Sequence, residues 1–445
     1  MLAVALALVL VGAAVGVGFY LNRAVPDVRT WVRTPPLYAN WLPHVGPGTV
    51  PAILLAVLVI MWGPTLANRL RFSALLGVGY VAAVGWTCCL ALVDGVRKGL
   101  KDSLLDRASY LFEVPRISDT STMLQEFTSR ILWFQPDSWT VHVAGHPPGA
   151  LLIFVWLDRI GLGGALPAAI ACILVGCLVA IAVPVTIAVL GRREHARTVV
   201  PFAVLFPGAV WVGVSADGLF AGVVACGLAL LATAAVALRD RRRGGAVAAV
   251  GAGLLLGFGI FLSYGFVLFG LPAVTIIIVA GGRGMWKVFT LAVVGALVVV
   301  VVFAAAGFWW PEGYQLVVER YYQGVAAKRP YAYWVFGNLA ALALVLGPGM
   351  IAAARRAVAR STVDRPWLRD RVWEPVAALA VAALAVLVFA DLSGLSKAEV
   401  ERIWLPFAVW VIPATALLPV RTRRWWLAGQ AVTALTVNHL VLTLW

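Results

Sequence analysis

The chain has 445 residues, 62% hydrophobic and 12% charged, with a formal charge of +15. A soluble protein of this length could not bury so much apolar surface, so the soluble classes are excluded and lipid must solvate the chain. The apolar runs last about 17–25 residues without strand-like alternation, which selects helices over a barrel.

Membrane helices are expected at 2–20, 50–68, 73–95, 165–190, 199–214, 216–238, 246–262, 264–281, 288–309, 331–354, 375–390, 403–420 and 425–444, about 13 in all. The first twenty residues hold no Lys or Arg, which fits a membrane helix better than a cleaved signal peptide. The segment 22–49 carries Pro35-Pro36, Trp31 and Trp41, the aromatics suiting an interface, and His44, which reads as structural. With Met1 in the cytoplasm, the turns on that side, including the loop 355–374, hold 20 Lys/Arg and 5 Asp/Glu, against 15 of each opposite. The basic excess is thus the positive-inside signal of a plasma (inner) membrane protein and requires no nucleic acid. The five cysteines, Cys88, Cys89, Cys172, Cys177 and Cys226, all lie in apolar runs and read as packing residues.

The same alternation puts 96–149, a long polar stretch, outside the cytoplasm. Its spacing predicts amphipathic helices over 101–113 and 121–134, the second with Met123, Phe127 and Ile131 on one stripe, both lying on the membrane surface. A third surface helix, 150–160, is too short to span and starts after Pro147-Pro148. Asp119, before Thr120-Ser121-Thr122, suits a helix N-cap, and Asp217 a cap or a functional acid. Two more outer loops follow, 310–330 with Lys328-Arg329-Pro330-Tyr331, and 391–402 with Lys397, Glu399, Glu401 and Arg402. Phosphate-cradling loops, zinc-protease motifs and nucleophile elbows are missing. No internal repeat is visible, which weakens a transporter reading.

Three short motifs carry a resemblance: Asp106-Arg107-Ala108-Ser109-Tyr110, His146-Pro147-Pro148 and Arg402-Ile403-Trp404-Leu405-Pro406. In their order among the helices they resemble the GT-C-type glycosyltransferases, the polyprenyl-phosphate-sugar-dependent family that includes protein O-mannosyltransferases and lipid A aminoarabinose transferases. The resemblance implies an all-α polytopic membrane fold in three parts. Residues 1–72 add two N-terminal helices, 73–420 form the catalytic module with its extracytoplasmic loop 96–164, and 421–445 form a C-terminal helix. It implies a polyprenyl-phosphate-linked sugar as donor and a cell-envelope acceptor, with membrane lipids as surroundings. In the family the first motif holds a pair of acids; here the second is Arg107, so Asp102, Glu113 and Asp119 stand beside Asp106 as candidate bases.

The chemistry fits those residue types. An acceptor hydroxyl must lose its proton to a carboxylate as the glycosidic centre becomes oxocarbenium-like. The leaving lipid phosphate needs fixed cations, for which Arg402, Lys397 and Arg329 are the candidates. His146 is a further catalytic candidate or a turn-fixing hydrogen-bonder. Tyr110, Tyr331, Trp334 and Glu401 are candidates for holding sugar or acceptor. No cofactor is called for, and no metal requirement can be read from the sequence. A transporter or flippase predicts ionisable groups at mid-depth, whereas these charges sit at the outer ends of nearly charge-free spans. A non-enzymatic scaffold of an envelope assembly is the other alternative.

Overall fold

Helical structure, α or 3-10, occupies all thirteen predicted spans in the computed structural model, which describes residues 1–25, 27–213, 215–362 and 374–443. Residues 363–373 of the predicted 355–374 loop and the end of the span 425–444 fall outside the described residues. Among the described residues, eight helices are long and apolar enough to cross a membrane: α1 (Leu2–Ala24), α2 (Thr49–Arg69), α3 (Phe72–Val93), α4 (Ala165–Val189), α5 (Ala216–Arg239), α6 (Met285–Ala305), α7 (Tyr331–Thr362) and α8 (Pro375–Leu392). The predicted count of about 13 spans thus falls to eight such helices, or nine if one bent pair counts as a single span. Gly245–Ile260 and Tyr264–Ala280 are shorter, and Leu405–Leu417 and Val420–Leu440 meet at a bend of 117° next to Pro419. The span expected at 199–214 is broken too, the helix Arg193–Val204 giving way to a 3-10 turn that starts at Pro207.

α5 and α7 form the centre. In their apolar stretches 72% and 67% of residues are buried within the protein, against 11% for α1 and 17% for α6, which face outward. Helix Gly245–Ile260 sits between α5 and α6. A Cβ on Gly253 would collide with the Ala292 carbonyl of α6, so the small residue sets how closely the two backbones approach. α7, expected to run unbroken, bends at Gly347, whose φ of 68° is the left-handed region that glycine tolerates. Gln430 repairs the break. Its amide donates to the Leu346 carbonyl at 2.8 Å and its oxygen accepts from Gly349 N–H at 3.0 Å.

The 96–149 loop departs from two predicted helices. The helix expected over 101–113 ends at Asp106, whose backbone turns extended (ψ 143°). The Asp106 carboxylate accepts the Ala108 N–H at 2.7 Å, offering the backbone a turn in place of the next helical bond. Two 3-10 turns follow, Tyr110–Phe112 and Val114–Arg116. The helix expected over 121–134 is only Thr120–Gln125. Its stripe is buried as the spacing predicted, but in the protein rather than on a lipid surface. Phe127 packs against Trp139 at 5.3 Å and Phe308 at 5.5 Å. The third predicted helix forms as Pro148–Arg159.

The N-terminal segment crosses to the far end of the chain. Ala39–Trp41 pairs antiparallel with Val441–Thr443. His44 Nε2 meets Asp94 Oδ1 at 2.5 Å while its ring stacks on His439. α1 packs along α7, where the Tyr333 hydroxyl donates to the Ala14 carbonyl at 3.0 Å.

Candidate functional site

The turn begun by Asp106 brings two sequence motifs together. The Ala108 carbonyl accepts the His142 N–H at 3.0 Å, joining the 106–110 turn to the 141–146 turn. Tyr110 lies at that junction, its buried ring 5.7 Å from His146, 6.1 Å from His142 and stacked on Phe154 at 5.2 Å. His146 Nδ1 contacts the His142 carbonyl at 2.8 Å and must donate there, which leaves Nε2 as the acceptor. Burial holds both imidazoles below their ordinary pKa, so they are neutral at pH 7. Burial, then the nearby Asp217 carboxylate, pushes the Tyr110 hydroxyl well up.

The third motif meets them in a small cavity lined by Ser109, Tyr110, His142, Ser215, Asp217 and Arg402. Arg402 Nη1 donates to Asp217 Oδ2 at 2.8 Å and Nη2 to Glu399 Oε2 at 3.0 Å. The other Glu399 oxygen accepts from Arg329 at 3.3 Å, so Glu399 lies between two guanidiniums. Burial alone would lower the Arg402 pKa, but Asp217 and Glu399 outweigh it and drive it up. Lys397 Nζ donates to the Ala326 carbonyl at 3.1 Å, and its carbonyl accepts from Arg329. Burial and the neighbouring Arg329 hold the Lys397 ammonium below its ordinary range.

Glu401 is wholly buried. Its Oε1 accepts the Tyr38 N–H at 2.9 Å, and its Oε2 has no hydrogen-bond partner among the described residues. Burial pushes its carboxyl up to about 7; the Tyr38 hydrogen bond works against that rise and Glu399 adds to it.

Ala398 and Glu399 both adopt positive φ, 71° and 65°, a strain of about 1–3 kcal/mol each that the surroundings must hold. Asn338 of α7 does this. Its amide donates to Asp391 Oδ1 at 2.9 Å and to the Ser396 carbonyl at 2.6 Å, while its oxygen accepts the Ala398 N–H at 3.2 Å. Asn338→Leu is expected to cost about 2–3 kcal/mol, because several buried polar groups lose their partner at once. Thermal unfolding in detergent checks this, and an unchanged midpoint would refute it.

The remaining sequence candidates sit apart or serve as supports. Asp106 is exposed, and its charge bears on the Tyr38 hydroxyl. Asp119 is the exposed N-cap of Thr120–Gln125, accepting from Thr122 N–H at 2.6 Å and Oγ1 at 2.8 Å, and those bonds hold its carboxyl low. Glu113 is buried on the Thr140 N–H at 3.1 Å, with Arg116 at 3.6 Å. Trp334 is fully buried with the Arg329 guanidinium 5.9 Å from its ring, whereas Tyr331 is exposed. Sequence reasoning had not singled out Asn338, His142 or Tyr38 as parts of this site. A lone amide in an apolar span was the available signal for Asn338.

No known protein-family profile matches this chain. No curated protein matches it either. Among solved structures, the crystal structure of the oligosaccharyltransferase from Archaeoglobus fulgidus, in complex with zinc and sulfate, is similar at a TM-score of 0.51 with 13% sequence identity. The match covers 82% of this chain and 53% of that one, so the chain spans about half the length of this neighbour. At that identity the likeness is one of fold, and over most of its length the chain is an all-α, multi-pass membrane protein with the helical architecture of that archaeal oligosaccharyltransferase.

Proposed function

We propose that the chain is an inverting GT-C-type glycosyltransferase that moves a sugar from a polyprenyl-phosphate carrier to a cell-envelope acceptor outside the cytoplasm. The observation that carries this reading is the convergence of the 106–110 turn, the 141–146 turn and Arg402 on one cavity at one end of the bundle. In the reaction the acceptor hydroxyl attacks the anomeric carbon, the bond from that carbon to the phosphate oxygen breaks, and polyprenyl phosphate leaves with the electron pair. Asp106, exposed at the start of the turn whose Ser109 and Tyr110 line the cavity, takes the acceptor's proton. Glu399, held at 3.0 and 3.3 Å between Arg402 and Arg329, stands where a phosphate would be gripped. The leaving phosphate displaces it and draws on both guanidiniums, with Lys397 beside them. Tyr110 shapes the cavity, exposed Tyr331 offers a face to a sugar, and buried Trp334 supports Arg329 from below. In this reading the N-terminus lies in the cytoplasm and the site on the outer face of the plasma membrane, with α1 and α2 preceding a catalytic module over 73–420.

Transfer of radiolabelled sugar from synthetic polyprenyl-phosphate donors, with purified protein in nanodiscs, tests this. Asp106→Asn is expected to lower the rate at least 100-fold. Wild-type rates in that variant would move the base to another carboxylate, Asp217 being the one that lines the cavity. Wild-type protein that turns over no donor at all would sink the transferase reading.

A further inference from the structure

The segment joining α1 to α2 has a feature that an interfacial anchor does not explain. Trp31 sits at φ 61°, a left-handed conformation that costs a bulky residue about 1–2 kcal/mol, and it is 44% exposed. The residues on either side are fixed by Asn22. Its Oδ1 accepts from Thr30 N–H at 2.9 Å and Thr30 Oγ1 at 2.8 Å, and its amide donates to the Val32 carbonyl at 2.9 Å. The chain is thus built to hold an indole outward. Around it lies a pocket of about 470 Å³ lined by Arg29, Trp31, Arg33 and Tyr38. That lies within the range of small-ligand sites and leaves room for a sugar ring.

The pocket's charge is one-sided. No acidic residue lines it, and the Lys328 ammonium adds a third cation 5.2 Å from the Trp31 ring. Arg29, Arg33 and Lys328 form no ion pair with a carboxylate among the described residues, Arg33 bonding only the neutral Asn40 amide at 3.3 Å. The cations of the outer cluster are instead paired, Arg402 and Arg329 both with Glu399. Uncompensated guanidiniums beside an exposed aromatic face suit a ligand with a carboxylate or phosphate and a sugar ring. Tyr38 joins the two regions. It lines the pocket, its N–H holds Glu401 at 2.9 Å, and its ring lies 5.9 Å from the Arg329 guanidinium.

We infer that this pocket is the acceptor subsite and that the acceptor is an acidic sugar, bearing a carboxylate or a phosphate, held by Arg29 and Arg33 with its ring on Trp31. The role as acceptor rests on the glycosyltransferase reading; the binding of an acidic sugar does not. Saturation-transfer NMR on purified protein in phosphatidylcholine nanodiscs tests it, with glucuronic acid, glucose 1-phosphate and glucose as probes. Both acidic sugars are expected to bind and glucose to bind at least tenfold more weakly. Arg29→Gln/Arg33→Gln is expected to lower acidic-sugar binding at least tenfold, and Trp31→Ala several-fold. Equal binding of glucose, or full binding by the double variant, overturns the proposal. Loss of the sugar signal in discs containing phosphatidylglycerol would assign the pocket to lipid headgroups and overturn it as well; retention supports it. Acidic-sugar binding without donor turnover would sink the transferase reading and leave the pocket, whereas turnover without such binding sinks the pocket alone.

Discussion

Arg402→Met should abolish sugar transfer and destabilise the protein by about 3–5 kcal/mol, the cost of removing one partner from a buried ion pair. Asp217 is 4% exposed, and its salt bridge is with Arg402, at 2.8 Å. Without the guanidinium its charge is stranded in the cavity, and Glu399 also loses one of its two cations. Thermal unfolding in detergent reads the stability, and nanodisc transfer reads the rate. A loss of at least 100-fold is expected, because a fixed cation facing a leaving phosphate contributes most as charge develops. The double variant Arg402→Met/Asp217→Leu separates the two roles. It removes the stranded carboxylate, so stability should return towards wild type, while transfer stays lost. Recovery of both would make Arg402 a purely structural residue, and recovery of neither would place its main contribution outside the Asp217 pair.

The sequence made the helices legible because lipid enforces continuous apolar runs, and the chain has the helical bundle that those runs predict. Interruptions were harder to see. The bend at Gly347 depends on Gln430, which lies far along the chain yet closes the broken backbone bonds. The end of the 101–113 helix depends on one side chain, Asp106, competing for the Ala108 N–H, and a helical apolar stripe carries no record of that competition. Two of the three short motifs supply Ser109, Tyr110 and Arg402 to one cavity, and His142, four positions before the His146 motif, joins them through a backbone bond to Ala108 that no local pattern encodes. Asp217 looked equally like a cap because its partner lies 185 positions away. Tyr38 was out of reach for the same reason, since its link to the site is a backbone N–H, which every residue but proline carries.

Stability should fall as pH rises from about 4 to 7, and Glu401→Gln should flatten that fall. The folded protein holds the Glu401 carboxyl up to about 7, whereas an unfolded chain releases that proton near the ordinary value of about 4.3. Below the lower value the acid is protonated in both states and exerts no pull on the equilibrium. Between the two values only the unfolded chain has given up its proton, so each step upward in pH favours unfolding. Above about 7 both states are ionised and the full penalty of about 4 kcal/mol is in place. Glutamine keeps an oxygen for the Tyr38 N–H and carries no charge, so the variant should match wild type near pH 4 and unfold at a higher temperature at pH 8. Other groups titrate in the same interval, and the difference between the two proteins isolates Glu401 from them. Parallel melting curves across the whole range would mean that Glu401 is already ionised at pH 5, with its second oxygen paired to a cation. A divergence in the expected direction would show that the cluster carries an uncharged acid beside Glu399 at the lower pH.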